Sequence, residues 1–113
     1  MACIFCSIAE GKIPAKIFHD DEHIVGFYDI HPQAPVHALF IPRKHISTLN
    51  DLDENDAQLL ARLFLAAKEF AQREGIAQSG YRLVMNCNSD GGQTVYHLHL
   101  HVLGGRWMKW PPG

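Results

Sequence analysis

The sequence lacks the features that would tie it to a membrane, to nucleic acid or to an oxidising compartment. No apolar run is long enough to span a bilayer, and the opening residues do not resemble a signal peptide. The formal net charge is −2, so we expect no basic surface for nucleic acid or anionic lipid. Three cysteines do not make a disulfide framework. We therefore expect a cytoplasmic protein with reduced thiols, no nucleic-acid partner and no membrane partner.

The sequence also lacks internal repeats, low-complexity segments and linkers. Residues 1–113 are therefore expected to form one domain with a single core. What stands out is histidine: the chain has eight, and three of them fall in the stretch 95–103.

The order of the predicted elements indicates an α+β fold. Asp53 is a good N-cap and Gly75 a good C-terminal stop for one long helix. Few helices lie between the strands, so we expect an antiparallel sheet with the long helix on one face. The predicted elements are a helical turn at 3–9, strands at 17–19, 24–30 and 36–41, the helix at 53–74, and strands at 81–86 and 95–103. The predicted core stripe of the helix is Leu60, Leu63, Phe64, Ala67, Phe70 and Ala71.

Histidine alternates with aliphatic residues in the last predicted strand. On an extended strand, His97, His99 and His101 share one face, opposite the aliphatic side chains. Alternate residues lie about 6.6 Å apart, so two of these imidazoles could reach one metal ion but three hardly can. A solvated surface row is an alternative. The remaining alternative is a row of imidazoles with separate roles along a phosphate ester. Histidine can act as a nucleophile, a hydrogen-bond donor or an acid near neutral pH.

A glycine-rich turn precedes the histidines. Gly91 and Gly92 allow a close approach of the backbone to a ligand, and exposed amides in such a turn bind anions. Asn86 and Thr94 add neutral polar groups. A plain hairpin loop is the alternative, but the position of the turn beside three histidines favours a phosphate pocket.

Taken together, these residues resemble the histidine triad (HIT) family. The run from His97 to Leu103 matches the family signature His-φ-His-φ-His-φ-φ, in which φ is apolar. The segment 29–37 looks like the family's nucleoside-binding segment. The segment 91–97 and the ending 110–113 look like its Hint branch, the histidine-triad nucleotide-binding proteins. The resemblance implies a five-stranded antiparallel sheet with one long and one short N-terminal helix. It also implies a homodimer with a ten-stranded sheet, in which the irregular tail 104–113 contributes to the partner's site.

The resemblance also implies roles for individual residues. His99 would be the nucleophile on the α-phosphorus of a nucleotide, His101 would contact the phosphate oxygens, and Asp29 would accept the ribose hydroxyls. The implied catalytic set is His97, His99, His101 and Thr94. The implied substrate-binding set is Phe5, Ile8, Phe27, Asp29, Ile30, His37, Asn86, Gly92 and Thr94, for a purine nucleotide linked through AMP.

Two cysteines near the N-terminus could belong to a metal site. Cys3 and Cys6 have the C-x-x-C spacing with which two thiolates share one tetrahedral zinc ion. Reduced thiols without metal are the alternative. The resemblance implies His45 and His97 as the other two ligands, with the zinc structural and no cofactor needed for catalysis.

Three functions remain open for this chain. The first is hydrolysis of purine nucleoside 5′-phosphoramidates or acyl-adenylates to the nucleoside monophosphate, through a covalent nucleotidyl-histidine. The second is a nucleotide-binding or scaffolding module whose hydrolysis is incidental. The third is a dinucleoside polyphosphate hydrolase of the Fhit type, against which the 110–113 ending argues.

Overall fold

The computed structural model describes residues 3–113 and contains a five-stranded sheet and three helices. In chain order the elements are α1 (Ile4–Ala9), β1 (Ile17–Asp20), β2 (Ile24–Tyr28), β3 (Val36–Pro42), α2 (Ala57–Arg73), β4 (Tyr81–Val84), α3 (Asn88–Gly91) and β5 (Leu100–Gly104). The strand order is β1-β2-β3-β5-β4, with every neighbouring pair antiparallel. The predicted α+β class, with one long helix and a short N-terminal helix, is confirmed.

The two faces of the sheet are buried by different helices. Alternate residues of β2, β3 and β5 point to the face that α2 covers, where Phe40, Leu100 and Val102 pack with Leu63 and Phe70 of the helix. The residues between them point the other way. There Val25, Phe27, Leu39 and Ile41 pack with Phe5 and Ile8 of α1. The long helix therefore stabilises one face, and the opposite face is free to carry a site under α1.

The long helix begins later than the sequence indicates. Asp53 does accept a hydrogen bond from Asn55, but it caps a 3₁₀ turn at Glu54–Asp56, and α2 follows at Ala57. The predicted stripe is also wrong at Phe64, which is 42 % exposed, while Ala66 is buried. Leu63, Ala67 and Phe70 centre the buried face, and at about 100° per residue this leaves Phe64 at its margin.

The histidine strand is shorter than predicted. β5 begins at Leu100, so His97 and His99 precede it. β3 ends at Pro42, which has no N–H to donate to a longer ladder. The amide of Leu98 instead donates to the carbonyl of Ile46 at 2.6 Å. Even so, Leu98 is buried in the α2 core, and the histidines lie on the other side of the chain.

The glycine turn and the tail complete the chain. The segment predicted as a glycine-rich turn contains the short helix α3, whose C-cap is Gly92 with φ +82°. Gly104 is the last residue of β5, and residues 105–113 form no helix or strand. Among residues 3–113, no helix is both long and apolar enough to cross a membrane.

Candidate active site

A cleft of about 400 Å³ opens on the α1 face of the sheet. Its walls are mainly apolar, with a few polar groups among them. The predicted site residues that line it are Phe5, Ile8, Phe27, Asp29, Ile30, Asn86, Gly92, Thr94, His99 and His101. An apolar cleft with a few convergent polar groups is the usual form of a small-molecule site.

A second cavity, of about 390 Å³, lies between the end of β3 and the start of α2. Two of its cations are already paired: Arg43 with Asp20, and Lys44 with Asp56 at 2.8 Å. The predicted nucleophile does not line this cavity, so the cleft under α1 is the better candidate.

The His99 ring is fixed at the floor of the cleft. It is 7 % exposed, and its Nδ1 lies 2.7 Å from the carbonyl oxygen of His97. A carbonyl only accepts, so Nδ1 carries the proton and Nε2 keeps its lone pair. The edge of Phe5 packs on the ring, with the two centroids 5.1 Å apart. Burial lowers the pKa of His99, which favours the neutral imidazole that a nucleophile requires.

A hydrogen bond from the neighbouring His37 determines which ring nitrogen of His101 carries the proton. The backbone amide of Gln33 donates to Nδ1 of His37 at 3.0 Å, so Nε2 of His37 carries the proton. That Nε2 lies 2.9 Å from Nδ1 of His101 and 3.4 Å from Oδ2 of Asp29. Nδ1 of His101 must therefore accept, and its Nε2–H is left to donate. Burial, with the nearby His99 and His37, lowers the pKa of His101 to about 4.

His37 itself does not line the cleft, although it was predicted in the substrate-binding set. It is 5 % exposed and lies behind His101. Burial lowers its pKa, and the carboxylate of Asp29 opposes this. Asp29, His37 and His101 lie close enough to ligate a metal. Their hydrogen bonds already account for that proximity.

The glycine turn is tied down by a buried side chain. Gln93 is 7 % exposed, its Oε1 accepts from the amide of Asn88, and its Nε2 donates to the carbonyls of Ser47 and Val95. These bonds fix the backbone around Thr94, which lines the cleft together with His99. The loop is therefore preorganised on both sides of the residue that carries the hydroxyl.

Four further side chains converge between α1 and the end of β3. The donor atoms of Cys3, Cys6, His45 and His97 all lie within 4.8 Å of one another. Nδ1 of His97 is 3.3 Å from Sγ of Cys3, 3.5 Å from Sγ of Cys6 and 3.2 Å from Nδ1 of His45. The structure thus brings together all four of the predicted zinc ligands.

The donor distances fit a tetrahedral zinc ion. Zinc bonds of about 2.3 Å to sulfur and 2.0–2.1 Å to nitrogen place tetrahedral N–N pairs about 3.3 Å and S–N pairs about 3.5 Å apart. Nε2 of His97 lies 2.8 Å from the carbonyl of Pro42, which leaves its Nδ1 free as a ligand. Without a bound cation, burial raises the pKa of Cys6 to about 11, and the neighbouring Cys3 makes the second-largest contribution. A bound metal would reverse that shift, since a coordinating thiol is deprotonated.

Sequence reasoning missed two residues that shape the site, Gln33 and Gln93. Gln33 acts through its backbone amide, so its side-chain type carries no signal. The two prolines that flank it, Pro32 and Pro35, do indicate a fixed loop. Gln93 lies in the quoted glycine turn, but only its burial reveals the anchoring amide.

Comparisons with known proteins agree with this geometry. The HIT domain family model matches residues 10–108. The chain is 48 % identical over 103 residues to the purine nucleoside phosphoramidase of Escherichia coli (strain K12), covering 91 % of this chain and 87 % of that protein.

Solved structures are also similar. The crystal structure of a HIT family hydrolase from Legionella pneumophila Philadelphia 1 has a TM-score of 0.98 and 57 % identity, covering 99 % of this chain and 100 % of the other. A zinc-bound histidine triad family protein from Mycobacterium smegmatis has a TM-score of 0.80 and 31 % identity, covering 94 % and 76 %.

Proposed function

The chain belongs to the HIT domain family, and we propose that it hydrolyses purine nucleoside 5′-phosphoramidates or acyl-adenylates to the nucleoside monophosphate. The similarity to a purine nucleoside phosphoramidase at 48 % identity supports this substrate class. One observation carries the proposal. His99 is buried at the cleft floor with Nδ1 bound to a carbonyl, so that Nε2 is a free, neutral nucleophile.

The cleft accommodates a nucleotide in one orientation. The base lies among the apolar side chains of Phe5, Ile8, Phe27 and Ile30, and the two ribose hydroxyls donate to the carboxylate of Asp29. The phosphate then lies beside His99 and His101, where His101 offers its Nε2–H. Asn86, Thr94 and the backbone near Gly92 line the same cleft and complete the phosphate contacts.

The reaction proceeds in two displacements. Nε2 of His99 bonds to the α-phosphorus while the P–N or P–O bond to the leaving group breaks. An amine departs with a proton taken up from water, and a carboxylate departs as the anion. Water then attacks the phosphorus and loses a proton to solvent, the P–Nε2 bond breaks, and the monophosphate and neutral His99 are released. His101 stabilises the charge that develops on the phosphate oxygens in both steps. Thr94 offers its hydroxyl on the side of the phosphate and leaving group.

Steady-state hydrolysis with matched binding measurements tests this proposal. Wild type should cleave adenosine 5′-phosphoramidate, and His99→Ala should lose hydrolysis by more than about a thousandfold while still binding AMP. Equal, slow hydrolysis by both proteins would instead indicate a binding or scaffolding module. Faster cleavage of dinucleoside polyphosphate than of phosphoramidate would indicate the Fhit-type activity.

We further propose that Cys3, Cys6, His45 and His97 hold one structural zinc ion. Their donor distances and the zinc-bound relative support this site. The ion would fasten α1 to the sheet and take no part in the displacement. Metal analysis of untagged protein should find one zinc per chain, and its absence would contradict the site.

We also propose a cytoplasmic homodimer. β4 is an edge strand, and Phe64 and Leu65 of α2 are 42 % and 58 % exposed, so an apolar helix face is available to a second copy. Pairing of the two β4 edges would give a ten-stranded sheet, with the tail after Gly104 reaching the partner's site. The cytoplasmic location is supported separately by the free cysteines, which fit a reducing compartment. Light scattering should give the mass of two chains, and a monomer would contradict the dimer.

A further inference from the structure

We propose that Arg106, in the tail after β5, is a positioning residue that fixes the proton of His101 through the loop before β3. The inference rests on the proposed function, because it concerns the proton that His101 offers to the substrate phosphate. Neither the family signature nor the cleft lining includes Arg106. Its effect would pass through three hydrogen bonds, from Arg106 to Gln33, from Gln33 to His37, and from His37 to His101.

The sheet topology places the tail beside the loop. β3 and β5 are antiparallel, and Val36 at the start of β3 pairs with Gly104 at the end of β5. The loop 31–35 and the tail therefore leave the sheet next to each other. The fit between them is close: at Gly105, where φ is +90°, a Cβ atom would lie 2.9 Å from Cβ of Pro35. The tail and the loop are thus packed against each other and not merely adjacent.

Arg106 holds the loop through a polar contact. Its Nε donates to the carbonyl oxygen of Gln33 at 3.1 Å, and its Nη1 donates to the carbonyl of Trp107 at 3.3 Å. The second bond orients the guanidinium within the tail. The side chain of Gln33 also donates to the carbonyl of His31 at 3.0 Å, so the loop is braced from inside as well.

Gln33 connects Arg106 to the active site through hydrogen bonds at both its carbonyl and its amide. Arg106 binds its carbonyl, and its amide N–H donates to Nδ1 of His37. As long as that amide is in place, Nδ1 of His37 must accept and Nε2 must carry the proton. Nε2 then donates to Nδ1 of His101, and the remaining proton of His101 sits on its Nε2.

Withdrawal of the Gln33 amide would allow the opposite arrangement. His37 could then carry its proton on Nδ1, and Nδ1 of His101 could donate to Nε2 of His37. Nε2 of His101 would present a lone pair to the phosphate oxygens, which repel it. The carboxylate of Asp29, 3.4 Å from Nε2 of His37, favours the working tautomer and limits this change. We therefore expect Arg106 to shift the population of the working tautomer and not to be essential.

The test compares Arg106→Ala and Arg106→Lys with Arg73→Ala, which removes an exposed arginine at the end of α2, outside both the tail and the cleft lining. For Arg106→Ala we expect kcat to fall about fivefold, the effect of one ordinary hydrogen bond, while the Kd for AMP changes less than twofold. In ¹⁵N-labelled histidine spectra of the full chain, His101 should change from Nε2–H to a mixture of tautomers. Arg106→Lys, which retains a donor, should fall between wild type and Arg106→Ala, and Arg73→Ala should match wild type.

Three outcomes would overturn the inference. They are an unchanged His101 tautomer in Arg106→Ala, a wild-type kcat despite a changed tautomer, and an equal loss of kcat in Arg73→Ala. The spectra do not depend on turnover. If wild type hydrolyses no phosphoramidate, the proposed function fails, and the tautomer of His101 still tests the hydrogen-bond chain from Arg106.

Discussion

Removal of the proposed zinc should destabilise the protein by a predictable amount. α1 has six residues, well below the ~12–15 at which an isolated helix becomes even marginally stable. Its attachment to the sheet depends on two buried side chains, Phe5 and Ile8, and on the thiols of Cys3 and Cys6. A metal that joins these thiols to His45 and His97 therefore stabilises only the folded arrangement of α1.

The size of the effect follows from linkage. At a free zinc concentration one hundred times the Kd, the ion adds about 2.7 kcal/mol to the free energy of unfolding. For a chain of 113 residues, each kcal/mol corresponds to about 4 °C in Tm. Chelation should therefore lower the Tm of wild type by about 10 °C.

Thermal unfolding with and without chelator measures this shift. Cys6→Ser removes one ligand, so its Tm should be low and should not respond to the chelator. Cys87→Ser alters the cysteine outside the cluster and should respond as wild type does. A wild-type Tm that the chelator leaves unchanged, or a Cys6→Ser variant that still responds, would refute the reasoning.

Four further predictions concern the cleft and the sheet. The pKa values of His99 and His101 are lowered, that of His101 to about 4. Both rings therefore stay neutral below pH 6.5, and hydrolysis should persist as the pH falls below that value. A kcat/KM profile that drops with an apparent pKa near 6.5 would contradict this. As the pH falls, His99 and His101 take up protons at a higher pH in the unfolded state than in the folded state. The free energy of unfolding, measured by denaturant titration, should therefore decrease as the pH falls from 6.5 to 4. A constant free energy of unfolding would contradict the lowered pKa values. Gly26→Ala should lower the free energy of unfolding by about 1–3 kcal/mol, because the added Cβ would lie 2.7 Å and 2.9 Å from two phenylalanine rings. Gly91→Ala, with only ordinary contacts from 3.7 Å, is its control, and equal stability of the two variants would contradict the packing. Asp29→Asn should weaken AMP binding about tenfold and dAMP binding much less, which calorimetry can measure; an equal loss for both nucleotides would contradict the ribose contact.

Local patterns predicted the two faces of the histidine segment but not the extent of its strand. The alternation of His97 to Val102 correctly separates the histidines from the aliphatic core, because an extended backbone alone determines which side a residue faces. The start of β5 depends on Pro42 of a different strand, where the ladder stops. No pattern within the segment carries that information.

The metal cluster and the loop contacts also join residues far apart in the sequence, which local patterns do not reveal. The spacing of Cys3 and Cys6 is a local signal, whereas His45 and His97 lie 39 and 91 residues from Cys6 and came only from the family resemblance. The amide of Gln33 is a backbone group that any non-proline residue could supply at that position. Its role becomes visible only when the loop is seen against His37.

Detection of the covalent intermediate tests the central claim most directly. Rapid quenching of wild type during turnover of adenosine 5′-phosphoramidate, followed by mass spectrometry of the intact chain and its peptides, locates any nucleotidyl adduct. We expect one adenylyl group on His99, absent from His99→Ala and retained in Arg73→Ala. Turnover with no adduct under conditions that trap phosphoramidates, or an adduct on His97 or His101, would contradict it.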